Sequence, residues 1–210
     1  MSSYSSGMQL TEVERKDIAE RASRLEARTG VEVVATVAGR CDAYPEAPWK
    51  AFALFSALAG FAAVAWQPGA VPAGLTFLGA GAAAALAAIF MPSFARLFTS
   101  RERREAETRQ YAAAHFIDRG LSRTSRRNAV LVLVGLFERC VVILPDTGLD
   151  LAEAELRDVI ARMQPALAAG RTAPALRDGL DALEALLAAK GIAGGGSDEI
   201  AQEVFEEKGA

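Results

Sequence analysis

The side chains in this sequence that can do chemistry are few, and most are carboxylates and arginines. His115 is the only histidine, so a His-based metal cluster or a serine triad with a histidine base cannot be assembled within one chain. As a lone polar residue in an amphipathic segment, it is expected on a helix surface. Cys41 and Cys140 lie far apart, in no metal-ligand spacing, and are expected to remain reduced thiols. There is no P-loop, nucleophile-elbow or CxxC motif. Gly194 to Gly196 lacks the Lys-Ser/Thr of a phosphate loop and reads as a linker.

What remains is Glu32, Asn128, Asp146 and Asp150, all predicted at strand ends, where a sheet rim gathers polar groups. The carboxylates Glu32, Asp146 and Asp150 are oxygen donors of the kind calcium or magnesium takes, provided they converge on one point. Asp146-Thr147-Gly148 also reads simply as a turn. Glu138 and Arg139 fall in a hairpin connection and are expected to pair on the surface, worth ~0 to 1 kcal/mol, or to mark a partner site. The candidate ligand or partner residues are therefore Glu32, Asn128, Glu138, Arg139 and Asp146.

The elements that must position them show in the periodicity. Thr11 followed by Glu14 is a capping box opening a helix whose apolar Ile18, Ala22 and Leu25 keep a 3.6-residue spacing up to Gly30. Val31 to Val37 then reads as a strand. Residues 101–119 form a charged helix ended by Gly120. The runs Ala129 to Val134 and Val141 to Leu144 are two buried strands of an antiparallel hairpin, expected at the sheet centre. Residues 150–169 and 173–189 return to helical spacing around Gly170 and Pro174, so helices can cover both faces of the sheet. A lone strand at 31–37 cannot stand in water, so it shares that sheet. Residues 193–210 are glycine-rich, then acidic, and are expected to be a flexible tail.

Charge is segregated. From Ala51 to Ala95 there are 45 consecutive residues without Asp, Glu, Lys, Arg or His. A hydrocarbon core about 30 Å thick takes ~20 apolar residues per helical pass, so this block suits two passes. Trp66-Gln67-Pro68-Gly69 makes the connection between helices near Trp49 to Trp66 and Val71 to Met91, the second ending at Pro92. Ala53, Ala57 and Gly60 on the first helix, with Gly74, Gly79, Gly81 and Ala82 to Ala85 on the second, form small-residue faces suited to hairpin packing or to an oligomer. No ionisable residue lies within the two spans between Ala51 and Ala95, which argues against a proton relay or ion transporter.

Residues 96–127 hold nine Arg against four acids, while residues 138–210 hold seven basic residues against fourteen acidic ones. A basic stretch directly after an apolar block signals an anionic lipid surface rather than nucleic acid. Arg40 and Lys50 precede the first span and five Arg follow the second, so the positive-inside rule puts both termini in the cytoplasm and the Pro68 turn outside. Nineteen Arg to four Lys, with abundant Ala, suit a GC-rich bacterial source and an inner membrane.

The order helix, strand, helix, strand hairpin, helix pair resembles the TPM domain family, as do two stretches of sequence. The first is Leu10-Thr11 and its helix leading to Arg28-Thr29-Gly30-Val31-Glu32-Val33-Val34. The second runs from Gly120 through Arg127-Asn128-Ala129-Val130-Leu131, then Phe137-Glu138-Arg139-Cys140-Val141-Val142-Ile143 and Asp146-Thr147-Gly148-Leu149, similar to the family's signature hairpin.

The resemblance implies a small three-layer α/β domain with a mixed sheet flanked by helices. It would be discontinuous, over 10–40 and 101–190, and interrupted by a transmembrane hairpin at 49–92. Family members include thylakoid proteins linked to photosystem repair, a nematode acetylcholine-receptor modulator and plant acid phosphatases, so the resemblance implies membrane-associated roles. The phosphatases would make an acidic residue beside Asn128 important, but Arg127 stands there and Ala129 replaces the usual glycine. The expected function is a non-enzymatic interaction or assembly module at the cytoplasmic membrane face, with the bilayer and a membrane protein as partners. The alternative is a membrane-bound, metal-dependent phosphatase.

Overall fold

The computed structural model describes residues 10–66, 69–124, 126–192, 194 and 205–207, the last three by backbone alone. The chain divides into two compact units, residues 1–41 with 107–210, and residues 42–106.

In the first unit, helix α1 (Glu12–Thr29) starts at the expected capping box and stops at Gly30, whose φ of 70° is left-handed. Strand β1 (Glu32–Ala38) follows. Strands β2 (Ala129–Gly135) and β3 (Cys140–Pro145) form the antiparallel hairpin. β1 pairs with β2 in parallel, Glu32 opposite Ala129 and Ala38 opposite Gly135. The sheet is therefore mixed, with order β3-β2-β1-β4. Its centre is the parallel β1–β2 pair, and β3 lies at an edge rather than at the centre as the sequence suggested.

Strand β4 (Phe205–Glu207) pairs in parallel with Thr36 to Ala38. These three residues form a strand where a flexible acidic tail was expected; apart from Gly194, the rest of the 193–210 segment lies outside the described residues.

Pleating sorts the side chains to two faces. Val33, Ala35 and Val37 of β1, with Val130, Val132, Val134, Val141 and Ile143, form one core with Ile18 and Leu25 of α1 and with residues of α6 (Glu153–Ala168) and α7 (Thr172–Ala189). Full burial of side chains such as Ile18, Leu176 and Leu183 contributes roughly 1.5–3 kcal/mol each. Val34, Ala38, Ala129, Leu131, Leu133 and Val142 face the other way, against Ala112 and the half-buried Tyr111 and Phe116 of α5 (Arg101–Asp118). The domain is thus three-layered, with helices on both faces of a small mixed sheet.

The second unit holds helices α2 (Glu46–Trp66) and α3 (Ala70–Phe90), each of 21 residues, about 31 Å at 1.5 Å per residue. Both are long and apolar enough to cross a membrane. α3 stops at Phe90, Met91 is extended at φ −117° and ψ 99°, and Pro92 occupies the first turn of a separate short helix α4 (Pro92–Ala95), where its missing N–H costs no hydrogen bond; a 3-10 turn follows over Arg96–Phe98.

The small residues serve this intramolecular pair unequally. A Cβ on Gly60 would touch the Phe77 ring at 3.2 Å, and one on Gly81 would overlap Ser56 and Phe52, whereas Gly74 and Gly79 face open space. Ser56 Oγ donates to the Phe77 carbonyl across the pair at 3.2 Å. The outward-facing turn expected at Gln67-Pro68 lies outside the described residues.

Candidate functional site

The candidate residues occupy two places, at opposite ends of the seven-residue strand β2 and so roughly 20 Å apart. Glu32, Asn128 and Asp146 lie where β1 and β2 begin and β3 ends; Glu138 and Arg139 lie in the turn at the far end.

At the first end, the hydrogen bonds run Glu32 N–H to the Asn128 carbonyl at 3.2 Å and Asp146 N–H to the Ala129 carbonyl at 2.8 Å. They continue the register so that Glu32, Ala129 and Asp146 form one row across the sheet. Residues in one row share a face, here the α5 face, and adjacent strands are about 4.8 Å apart. Two buried carboxylates therefore flank a single alanine methyl. The Asn128 side chain is used structurally, because its Nδ2 donates to the Gly30 carbonyl and ties the entry of β2 to the end of α1.

Asp146 is 5% exposed. Its Oδ1 accepts from the Thr147 N–H at 2.7 Å and lies 3.3 Å from Arg127 Nε. Its Oδ2 is buried and has no hydrogen-bond partner among the described residues. Arg127 is held in turn: Nη1 donates to the Ser122 carbonyl at 2.9 Å and Nη2 to Thr147 Oγ1 at 3.4 Å. Its backbone sits at φ 53°, left-handed for a residue with a Cβ, while its carbonyl accepts from the Gly148 N–H at 2.8 Å. The expected Asp146 turn closes through the Leu149 N–H to the Asp146 carbonyl at 3.0 Å. Arg127 thus supplies beside Asp146 the positive charge that burial of a carboxylate demands.

These residues do not complete a calcium or magnesium shell. Asp150 is exposed, its carbonyl engaged by Lys190 Nζ at 2.8 Å, and it does not join Glu32 and Asp146. Among the described residues no three His, Cys, Asp or Glu side chains group as a metal site. Two carboxylates, one facing a guanidinium, fall short of the six or more oxygens either ion takes.

The far end corrects two expectations. Glu138 is not on the surface pairing with Arg139: it is 4% exposed, and its Oε1 accepts from the Cys41 N–H at 2.8 Å. Arg139 is exposed, with a left-handed φ of 53° that completes the tight β2–β3 turn. Beside them Arg40 lies over the Phe137 ring, 4.3 Å from its centroid.

His115 is likewise buried rather than superficial. Its Nε2 is 3.0 Å from Thr36 Oγ1, and its ring stacks with Tyr111 at 6.2 Å between centroids. Thr36 was passed over in the sequence; a threonine inside an otherwise aliphatic strand was the available signal, since a buried hydroxyl needs a partner. Burial pushes the Cys41 thiol well above its ordinary range, and the neighbouring Glu138 charge adds to the effect. This end therefore reads as a buried polar joint in which Glu138 and Cys41 meet.

Residues 86–186 match the family model of the TPM domain. The NMR structure of the BA42 protein from the psychrophilic bacterium Bizionia argentinensis shares the fold, with a TM-score of 0.56, 15% sequence identity and 94% of each chain covered. No curated protein matches the sequence.

Proposed function

Since residues 86–186 match the family model of the TPM domain, we propose that the protein is a membrane-anchored interaction module, with α2 and α3 as the anchor and the TPM domain at the cytoplasmic face of a bacterial inner membrane. One observation carries the anchor: the apolar side chains of α2 and α3 are not used as a core. Only 17% of the most apolar stretch of each helix is buried, and Phe61, Val64, Trp66 and Val71 are each 75–89% exposed. Water would penalise that surface, whereas hydrocarbon accepts it. Trp49 and Trp66 stand exposed near the two ends of α2, where indoles favour the lipid interface.

Orientation rests on Arg40, Lys50, Arg96, Arg101, Arg103 and Arg104, which flank the anchor on its terminal side. Arg103 is tied to Asp42 at 3.0 Å and Glu46 at 2.8 Å, and Arg101 to Glu105 at 2.6 Å, so the pull of this cluster on anionic headgroups is weaker than its count of arginines implies. The non-enzymatic reading draws on Asp146 being engaged by Arg127 and Thr147 instead of being free to act on a substrate.

The test is carbonate extraction of membranes combined with cysteine labelling in intact cells, using a Cys-free background with single cysteines at Gly69 and Ser122. Retention in the pellet, with only position 69 reacting from outside, is the expected result. Release by carbonate overturns the anchor, and labelling at Ser122 overturns the orientation. For the interaction role, a specific partner should co-purify from detergent with the full chain and be lost with the domain; a chain that always purifies alone speaks against it.

A further inference from the structure

Two thiols far apart in sequence come together on the α5 face, at the far end of the sheet from Asp146. Cys41 is buried, and its Sγ lies 3.3 Å from where a Cβ on Gly135 would stand. Cys140 is the residue opposite Gly135 in the antiparallel β2–β3 pair and packs half-buried against the apolar cluster that contains Cys41. Directly opposed positions of such a pair place their Cβ atoms about 4.5–5.5 Å apart. The Cys41 sulfur therefore sits over Gly135 and the Cys140 Cβ directly across from it, and Gly135 has no side chain to stand between them. A Cβ there would also meet Glu138 Oε2 at 2.8 Å, so only glycine leaves this space. The two thiols are near enough that a charge on Cys140 disfavours one on Cys41.

We propose that Cys41 and Cys140 are a modification site, at which an external disulfide, small-molecule or protein-borne, drives formation of a reversible intramolecular Cys41–Cys140 bridge. Cys140, the more exposed thiol, meets the oxidant first. It loses its proton to water, and its thiolate attacks one sulfur of the external disulfide, releasing the other as a thiolate and leaving a mixed disulfide on Cys140. Cys41 then loses its proton and attacks the Cys140 sulfur, expelling the second external thiolate. In sum, two protein thiols are oxidised to one disulfide and one external disulfide is reduced to two thiols.

Because burial and Glu138 hold Cys41 protonated, the second step is slow and the mixed disulfide precedes the bridge. Cys41 is the last residue of its unit before the chain enters the 42–106 segment, so the bridge pins that exit to β3. In a reducing cytoplasm the bridge is transient, whereas on the oxidising side of the membrane it persists.

The experiment takes the full-length protein in detergent through glutathione/glutathione-disulfide mixtures, followed by acid quenching, maleimide blocking, intact mass and peptide mapping. The expected result is loss of both maleimide labels with a Cys41–Cys140 cross-linked peptide, and a persistent glutathione adduct on Cys140 in Cys41→Ser. The bridge should form at a glutathione-disulfide fraction about tenfold lower for the native chain than in urea, since proximity supplied by the fold favours it. Two free thiols throughout, an unresolved Cys140 adduct in the unmodified sequence, a bridge between chains, or equal bridging in urea would each overturn the proposal.

Discussion

Arg127 Nε stands 3.3 Å from Asp146 Oδ1, and the two side chains differ sharply in exposure, 52% for the arginine and 4% for the aspartate. The pair is unequal in what each member needs. Asp146 depends on Arg127 for compensation of a buried charge, whereas Arg127 can turn to solvent. Arg127→Ala should therefore destabilise the domain by about 1–3 kcal/mol, toward the lower end because the pair is partly screened. Asp146→Asn removes the charge and keeps an acceptor for the Thr147 N–H, so it should cost less. The double variant should resemble Asp146→Asn alone. Urea unfolding of the four proteins in detergent measures this; additive losses would show that the pair is not coupled.

Gly148→Ala should be worse than either. Its Cβ would overlap the carbonyl oxygens of Arg126 and Arg127, backbone atoms that cannot rotate away. A loss above about 2 kcal/mol, or failure to accumulate folded protein, is expected from a clash of that kind. Near-normal thermal unfolding would mean that the loop yields freely and that the Arg127 lock is loose.

Much of this arrangement was legible in the sequence where local chemistry decides it. The Thr11–Glu14 capping box, the Gly30 stop, the β2–β3 hairpin and the two long apolar helices depend on neighbours within a few residues. Burial of polar groups was less legible, because it depends on packing between distant segments. Glu138 lies in a turn, a position that normally favours exposure, yet the Cys41 N–H 97 residues away gives it a buried partner. His115, a lone polar residue in an amphipathic segment, is expected on a helix surface, and only the approach of Thr36 from β1 shows which face it occupies. Asp146 and Glu32 share a row only because β1 pairs with β2 in parallel, and no local pattern encodes that pairing.

The Thr36–His115 contact gives the third prediction. Thr36→Val keeps the shape of the strand side chain but removes the hydroxyl 3.0 Å from His115 Nε2. Removing one partner from a buried polar ring should cost about 1–3 kcal/mol, well above the cost of a surface threonine change. Thr36→Ser should recover most of it. If Val and Ser behave alike in thermal unfolding, the contact contributes no stability.

In the hairpin the glycines should separate into two classes. Gly81→Val places a methyl-bearing carbon against Ser56 and Phe52, and Gly60→Val presses on Phe77, so both should splay α2 from α3. Gly74→Val and Gly79→Val add side chains where nothing lies within 4 Å and should leave the pair intact. Cross-linking of single cysteines at Ala51 and Ala88, buried in one cluster between the helices, reads the difference in membranes. Sensitivity at Gly74 or Gly79 would instead point to a contact with a second chain on that face.

Acid should loosen the helix N-termini at α1 and α6, and the sign follows from two carboxylates. Glu14 lies below its ordinary value of 4.5 first because the Thr11 N–H donates to it at 2.9 Å, then because the Thr11 hydroxyl does. Glu155 is lowered first by Lys190 and then by the Ala152 N–H, each at 2.8 Å. A carboxyl whose folded pKa is depressed contributes stability above its unfolded value, and that contribution disappears as pH falls through the lower folded value. Both caps should therefore hold at neutral pH and weaken progressively below pH 4.5. Amide hydrogen exchange in the first turns of α1 and α6 should accelerate over that range. Glu14→Gln, which keeps an acceptor for the Thr11 N–H but cannot titrate, should flatten the acid response of α1 while leaving that of α6 unchanged. If α1 in Glu14→Gln still opens with the same acid midpoint, another group controls its N-terminus.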